Sequence, residues 1–397
     1  MPERRQALRV DWLSNQNMLA GFRVPTAISI EAGCALQAAD LLLAQRLERI
    51  LVVTDPGVRA TSAFASFAEG LGSSSLEVIV DDGVESNPRV ATAQRLGERA
   101  REEGLDGLVG IGGGSVLDAA KAGAMLATNP GPAAGFVGRN LFTEAPLPFF
   151  ALPTTCGTGS EVTWVSVLSD PDRDVKVSIK GDGMFPNAAL VDPNLLAELP
   201  AHLIASTGLD ALTHAIEAVT VACRNPVSDA LGTAAIGLLL EWLHRAVGER
   251  EPDALFQVAR ASTLAGMAFG NSDVGAVHCL SESIGGLHDL PHGLLNAALL
   301  VPVFESHGES VVESLASVQR VLEPGQDAPS AELAARLLDA IRDLAQAIGI
   351  PRFSELAVPQ SDYGRLAELA VQNGSNESNP RPMQVEDYRQ ILERAGS

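Results

Sequence analysis

Basic residues are scarce in this chain. Lysine and arginine together number 28 against 49 aspartates and glutamates, a formal charge of −21 with no local basic patch to offset it. Nucleic acids, anionic membranes and other polyanions are therefore poor partners. Cysteine is sparse as well. Cys34, Cys156, Cys223 and Cys279 are scattered without Cys-x-x-Cys spacing, which argues against a disulfide framework or a zinc ribbon and suits a reducing compartment. Long apolar runs are missing: Ile236 to Leu240 is far too short to span a bilayer. The charged start, Met1 to Val10, has no apolar core of signal-peptide length behind it. A soluble cytoplasmic protein is the expectation.

Hydrophobic material is plentiful. At 397 residues and 46% hydrophobic composition the chain has enough for two separate cores and too much for disorder. Its first half alternates strand and helix signals. Strands are predicted at Ala27–Ile30, Ile50–Thr54, Leu76–Val80, Gly107–Ile111 and Pro148–Pro153, with apolar-periodic helices at about 35–47, 60–71 and 89–103 between the first four. This alternation predicts a parallel sheet covered on both faces, a Rossmann-like α/β fold.

After Val191-Asp192-Pro193 the strand signal stops. Helical periodicity then covers roughly 206–221, 227–247, 253–269, 276–285, 293–304, 331–348 and 385–395. The predicted division lies near residue 195, with a nucleotide-binding α/β domain over 1–195 and an all-helical domain over 196–397. The polar, proline-rich stretch from Asn373 to Pro382 reads as a surface loop.

Two segments of the first half suit a nucleotide. Gly112-Gly113-Gly114-Ser115 stands between a buried strand and a helix that carries Asp118. Glycines there let the backbone approach a pyrophosphate, and the helix N-terminus directs free N–H groups at the anion; a tight turn without ligand is the plainer alternative. Thr154-Thr155-Cys156-Gly157-Thr158-Gly159-Ser160-Glu161 clusters hydroxyls that can donate to a nucleotide, or it is an ordinary Gly/Thr loop.

The second half concentrates chemistry around His278 to His292. Val277, Leu280 and Ile284 repeat at helical spacing, the Gly285-Gly286 pair offers a stop, and Pro291 suits the start of a returning helix. Such a turn brings His278 and His292 toward one point. Asp210 and His214 share one face of an earlier helix. One carboxylate and three imidazoles suit a divalent transition metal. Thr207-x-x-Asp210 also fits a capping box, which offers Asp210 a purely structural job.

Gly208-Leu209-Asp210-Ala211-Leu212-Thr213-His214-Ala215-Ile216-Glu217, then His278, then Pro291-His292-Gly293 with Asn296-Ala297 behind, resembles the signature of the iron-containing (group III) alcohol dehydrogenases. The likeness runs from about Val24 to Ala395. It implies a dehydroquinate synthase-like two-domain plan and a catalytic metal on Asp210, His214, His278 and His292. The metal would be Fe2+, with Zn2+ or another divalent ion as alternative.

The resemblance also implies NAD(P) across the interdomain cleft. Gly112, Gly113, Gly114 and Ser115 would hold its pyrophosphate, Asp118 would lie near the nicotinamide, Thr154, Thr155 and Thr158 would contact it, and Lys176 would approach its ribose. Asp55, after the second strand, stands where the family often has an acid facing the adenine ribose. A carboxylate there favours NAD over NADP, although Asp55 also reads as a turn residue. The expected activity interconverts a small alcohol and its aldehyde or ketone, in a homo-oligomer.

Two positions depart from the family. Glu282 stands where a second histidine is common, and His288 where an aromatic is frequent; both are candidates for proton relay or substrate selection, Glu282 by repelling anions. An exposed charge is the plainer reading of Glu282. Arg139, Lys180 and Arg224 are candidates to meet an anionic substrate group, or are surface charges. A hydroxyacid–oxoacid transhydrogenase, a dehydroquinate synthase-type lyase and an inactive nucleotide-binding module stay open as alternatives.

Overall fold

The computed structural model describes residues 21–397 apart from 174 and 326; the charged start, Met1 to Val10, lies outside them. Six strands form one parallel sheet: β1 (Ala27–Ile30), β2 (Arg49–Val53), β3 (Glu77–Asp81), β4 (Gly107–Gly112), β6 (Phe149–Pro153) and β9 (Ala188–Val191). Their order is β1-β9-β6-β4-β2-β3. β4 and β6 are buried along their whole length, as strands covered on both faces must be. Five helices accompany the sheet: α1 (Ala38–Ala44), α2 (Pro56–Arg59), α3 (Ser62–Gly72), α4 (Val90–Glu102) and α5 (Gly114–Thr128).

The chain reverses direction across this sheet at β2, which has β3 on one side and β4 on the other. Open parallel sheets bind ligands at such a switch point, outside the carboxyl ends of the strands. Here those ends are Asp55 after β2 and Gly113 after β4. The Thr54 hydroxyl donates to the Ile111 carbonyl at 2.7 Å and ties the two ends together.

A second, three-stranded sheet was not anticipated. β5 (Gly138–Arg139) pairs parallel with β8 (Val175–Lys180), and β8 pairs antiparallel with β7 (Val165–Asp170). The signal is in the sequence: Val-Ser-Val-Leu-Ser-Asp and Val-Lys-Val-Ser-Ile-Lys alternate on either side of a Pro/Asp turn, the pattern of a hairpin. The prediction of an uninterrupted strand–helix alternation passed over it.

Nine helices follow among the described residues: α6 (Ala201–Ala218), α7 (Pro226–Gly248), α8 (Pro252–Phe269), α9 (Ala276–His288), α10 (His292–His307), α11 (Glu309–Leu322), α12 (Ser330–Ala347), α13 (Tyr363–Gln372) and α14 (Val385–Ala395). α11 and α13 add to the predicted set. α6 is the central one, with fourteen of its eighteen residues buried. Among the described residues no helix is long and apolar enough to cross a membrane.

Three local expectations are corrected. α9 does not stop at the glycine pair; it continues to His288 and ends where Asp289 turns left-handed at φ 53°. Gly285 lies inside the helix, where an added Cβ would make only ordinary contact with Lys176 Cε at 3.4 Å. Thr207 does not cap a helix, because α6 begins at Ala201 and the Thr207 hydroxyl donates to the Leu203 carbonyl within it. The stretch after Asn373 is no surface loop: Ser375 and Asn379 are buried, and the Ser375 and Ser378 hydroxyls donate to Asp273.

Candidate active site

Three helices deliver the metal candidates. Asp210 and His214 lie one turn apart on α6, His278 is in the first turn of α9, and His292 opens α10. Ligand atoms of Asp210, His214 and His278 all lie within 4.8 Å of one another, and the three side chains are almost wholly buried. His278 Nε2 is 3.0 Å from His214 Nε2. His292 Nε2 stands 3.9 Å from Asp210 Oδ1, with its ring centroid 5.2 Å from that of His278.

Asn296, one turn into α10, fills the focus of this set. Its side-chain nitrogen lies 2.6 Å from Asp210 Oδ1 and 3.1 Å from both His278 Nε2 and His292 Nε2. Acceptor atoms from three helices thus converge on one buried point, as a cation site requires.

The protonation states suit ligation. Burial pushes His214 down to about 4 and His292 well below its ordinary value, so both imidazoles are neutral at pH 7. His278 behaves differently. Burial lowers it, but the carboxylates of Glu217, Asp210 and Glu282 together raise it. Glu217 Oε2 lies 2.5 Å from His278 Nδ1, and Oε1 accepts the Val277 N–H at 2.8 Å. A carboxylate on Nδ1 fixes the tautomer that leaves Nε2 free for a metal. Phe269 stacks on His214 with centroids 4.2 Å apart.

One cleft of about 2530 Å³ is lined both by this cluster and by the carboxyl ends of β2 and β4. On the sheet side, Gly113 precedes α5 and no side chain caps that helix. A Cβ on Gly114 would come within 2.4 Å of Thr158 Cγ2, and one on Gly112 within 2.5 Å of Val116, so the turn admits only glycine and keeps its amides bare. The Thr154 hydroxyl is buried without a partner, and Thr154, Thr155 and Thr158 all line the cleft. The Ser115 hydroxyl is spent on the Ser86 carbonyl.

Asp118 accepts from the Ser160 hydroxyl at 2.5 Å and the Val167 amide at 2.9 Å, with burial raising its pKa. Beneath it Lys121 is buried and donates to the carbonyls of Ser160, Thr163 and Val165; burial lowers its pKa to about 8. Asp55 lines the cleft while one of its oxygens caps α2, accepting from the Gly57 and Val58 amides. Lys176, on β8, reaches across to α9. Burial lowers its pKa, against the pull of Glu282, Asp210 and Asp289.

Of the two departures, Glu282 faces the cleft and His288 does not. Glu282 is half-buried and accepts from Asn373 Nδ2 at 2.6 Å. His288 turns toward Asp362, its Nε2 3.2 Å from a carboxylate oxygen without a directed hydrogen bond, and is absent from the cleft lining. Arg139 and Lys180 line the cleft, Arg139 stacking over Trp164 at 4.6 Å, whereas Arg224 pairs with Asp229 elsewhere. Sequence reasoning assigned no role to Glu217 or Asn296, although both repeat at helical spacing from predicted ligands. Lys121 and Asn373 carried no local signal.

Comparison with known proteins agrees with this geometry. Residues 25–193 match the family profile of iron-containing alcohol dehydrogenase, and residues 204–396 the C-terminal profile of the Fe-containing alcohol dehydrogenase family. Alcohol dehydrogenase 4 of Saccharomyces cerevisiae is 34% identical over 95% of this chain and 98% of its own length. The 1,3-propanediol dehydrogenase of Citrobacter freundii is 37% identical over 88% and 91%. A crystal structure of 1,3-propanediol oxidoreductase superposes with a TM-score of 0.91 at 33% identity, covering 95% of this chain and all of that one. The sulfoacetaldehyde reductase of Bifidobacterium kashiwanohense, solved in complex with NAD+, superposes with a TM-score of 0.86 at 27% identity over 96% and 99%. From the helical cluster of Asp210, His214 and His278 to the glycine turn before α5, the chain belongs to the iron-containing alcohol dehydrogenase family.

Proposed function

We propose that this protein is a divalent metal- and NAD-dependent oxidoreductase that interconverts a small alcohol and its aldehyde or ketone. The observation that carries the reading is the convergence of Asp210, His214 and His278 within 4.8 Å in the cleft that also holds the glycine turn. Asp210, His214, His278 and His292 would hold the metal, iron(II) first among the candidates. When bound, the ion supplies Lewis acidity toward the substrate oxygen and the nicotinamide gives or takes the hydride.

The chain's own residues do the positioning. Glu217 keeps the His278 proton on Nδ1 and its lone pair on Nε2. Gly112, Gly113 and Gly114 leave the α5 amides open to a pyrophosphate, while the unpartnered Thr154 hydroxyl is available to the nucleotide. The free oxygen of Asp55 can accept from a ribose 2′-hydroxyl and would repel a 2′-phosphate, which favours NAD over NADP. Asp210, His214 and His278 are almost wholly buried yet line the cleft, so a substrate oxygen can reach them from that side only. We divide the chain near residue 195, which the end of β9 and the gap between the two matched segments support.

Purified protein stripped with chelator and reloaded with Fe2+, Zn2+ or Mn2+, then assayed for NADH formation over short primary alcohols, tests this reading. Metal-dependent reduction of NAD is expected. Metal binding without NAD turnover on any alcohol or aldehyde would overturn it.

A further inference from the structure

Next to the metal residues the cleft wall carries a further carboxylate. Glu282 sits on α9 one turn after His278, about 6 Å along the same helix face. The Asn373 amide, arriving from the segment after α13, donates to Glu282 Oε2 at 2.6 Å. That contact fixes the side chain in the cleft and leaves the other oxygen, Oε1, with no hydrogen-bond donor among the described residues. A half-buried, oriented acceptor one helical turn from the metal residues has the spacing of a short carbon tail.

The surrounding charge is acidic. Four carboxylates, Glu282, Asp210, Asp289 and Asp118, act on the Lys176 ammonium at this end. Even with Asp210 committed to a cation, carboxylates outnumber that ammonium. An anionic tail placed here would meet the like charge of Glu282, whereas a donor would find a fixed acceptor.

We infer that Glu282, held by Asn373, makes the distal end of the substrate site a hydrogen-bond acceptor, so that the preferred substrates are short alcohols carrying a second donor, a hydroxyl or an ammonium. The inference rests on the dehydrogenase reading of the same site. A simple alkanol of equal length leaves Oε1 without a partner in a partly desolvated pocket, and a hydroxy acid adds repulsion. One hydrogen bond to a charged acceptor discriminates by roughly tenfold to a hundredfold.

The test compares metallated wild type with Glu282→Gln and Glu282→Leu on 1,3-propanediol, 3-amino-1-propanol, 1-butanol and 3-hydroxypropionate. Each kcat/KM is followed by NADH formation. Binding of the same compounds to the NAD-loaded protein is followed separately by saturation-transfer NMR, which does not depend on turnover.

Wild type is expected to prefer the diol and the amino alcohol to 1-butanol by at least roughly tenfold. Glu282→Leu should collapse that ratio, in kinetics and in binding, whatever happens to absolute rates. In Glu282→Gln the single oxygen stays with Asn373 and the free group becomes an uncharged NH2 donor, from which a hydroxyl can accept and an ammonium cannot, so the variant should retain the diol preference and lose the amino alcohol preference. Its near-isosteric side chain also covers failure of the leucine variant to fold. Turnover with the same ranking in wild type and both variants overturns the inference alone. No turnover of any compound by metallated wild type overturns the dehydrogenase reading, and the inference with it.

Discussion

Glu217 and His278 form a buried pair, carboxylate oxygen to ring nitrogen at 2.5 Å, on the ring edge opposite the converging ligand atoms. The pair joins α6 to α9 and sets which imidazole nitrogen faces the site. Glu217→Gln should therefore weaken metal binding by about 10- to 100-fold without abolishing it. Competition against a chromophoric chelator measures this directly. Undiminished affinity would mean that His278 needs no orienting partner.

Lys121 is a buried ammonium surrounded by main-chain carbonyls from Ser160 to Val165. Lys121→Met leaves those carbonyls unpaired and should cost about 3 kcal/mol of stability. Because the same segment accompanies Asp118 along the cleft, KM for NAD should rise roughly tenfold or more. Urea unfolding and NAD titration check the two effects separately. An unaltered KM in a destabilised variant would confine Lys121 to folding.

His307, at the end of α10 and buried, is pushed by burial and by Arg381 from the ordinary 6.5 down to about 4. Between those values the unfolded chain takes up a proton that the folded chain refuses. Stability is thus fully present above about pH 6.5 and is lost as pH falls toward 4, by up to about 1.4 kcal/mol per pH unit from this group. Urea midpoints at several pH values should show a shallower acid slope in His307→Gln than in wild type. Equal slopes would remove His307 as a source of acid sensitivity.

Asp55 combines two jobs at the end of β2. Asp55→Ala should lose the α2 cap, about 1 kcal/mol, and should shift the NADP-to-NAD ratio of kcat/KM upward by roughly tenfold. Kinetics with both dinucleotides decide. A variant that loses stability but keeps its cofactor ratio would show that Asp55 only caps the turn.

The parallel sheet, the helical second half and the shared face of Asp210 and His214 were legible because each rests on local pattern: β-branched runs between glycine turns, and an Asp and a His at a spacing of four. What escaped depends on contacts distant in sequence. Nothing near Asn373 says that it will meet Glu282, ninety-one positions away. Lys121 looks like a solvated helix charge until β7 closes over it. The Gly285-Gly286 pair misled for a related reason. Glycine permits a helix to stop but does not compel it, and here α9 continues through both glycines to His288. His288, next to the site in sequence, is turned away by the last turn of α9 onto Asp362.

Asp210, His214 and Glu217 ride on consecutive turns of α6, a helix clamped on nearly every side. Their backbone spacing is set by helical pitch, and burial leaves their side chains little room to change rotamer. In the proposed metal site, adjustment to ions of different radius would fall to His292, the first residue of α10 and the most exposed of the four. That asymmetry gives the site one adjustable jaw against a rigid anvil.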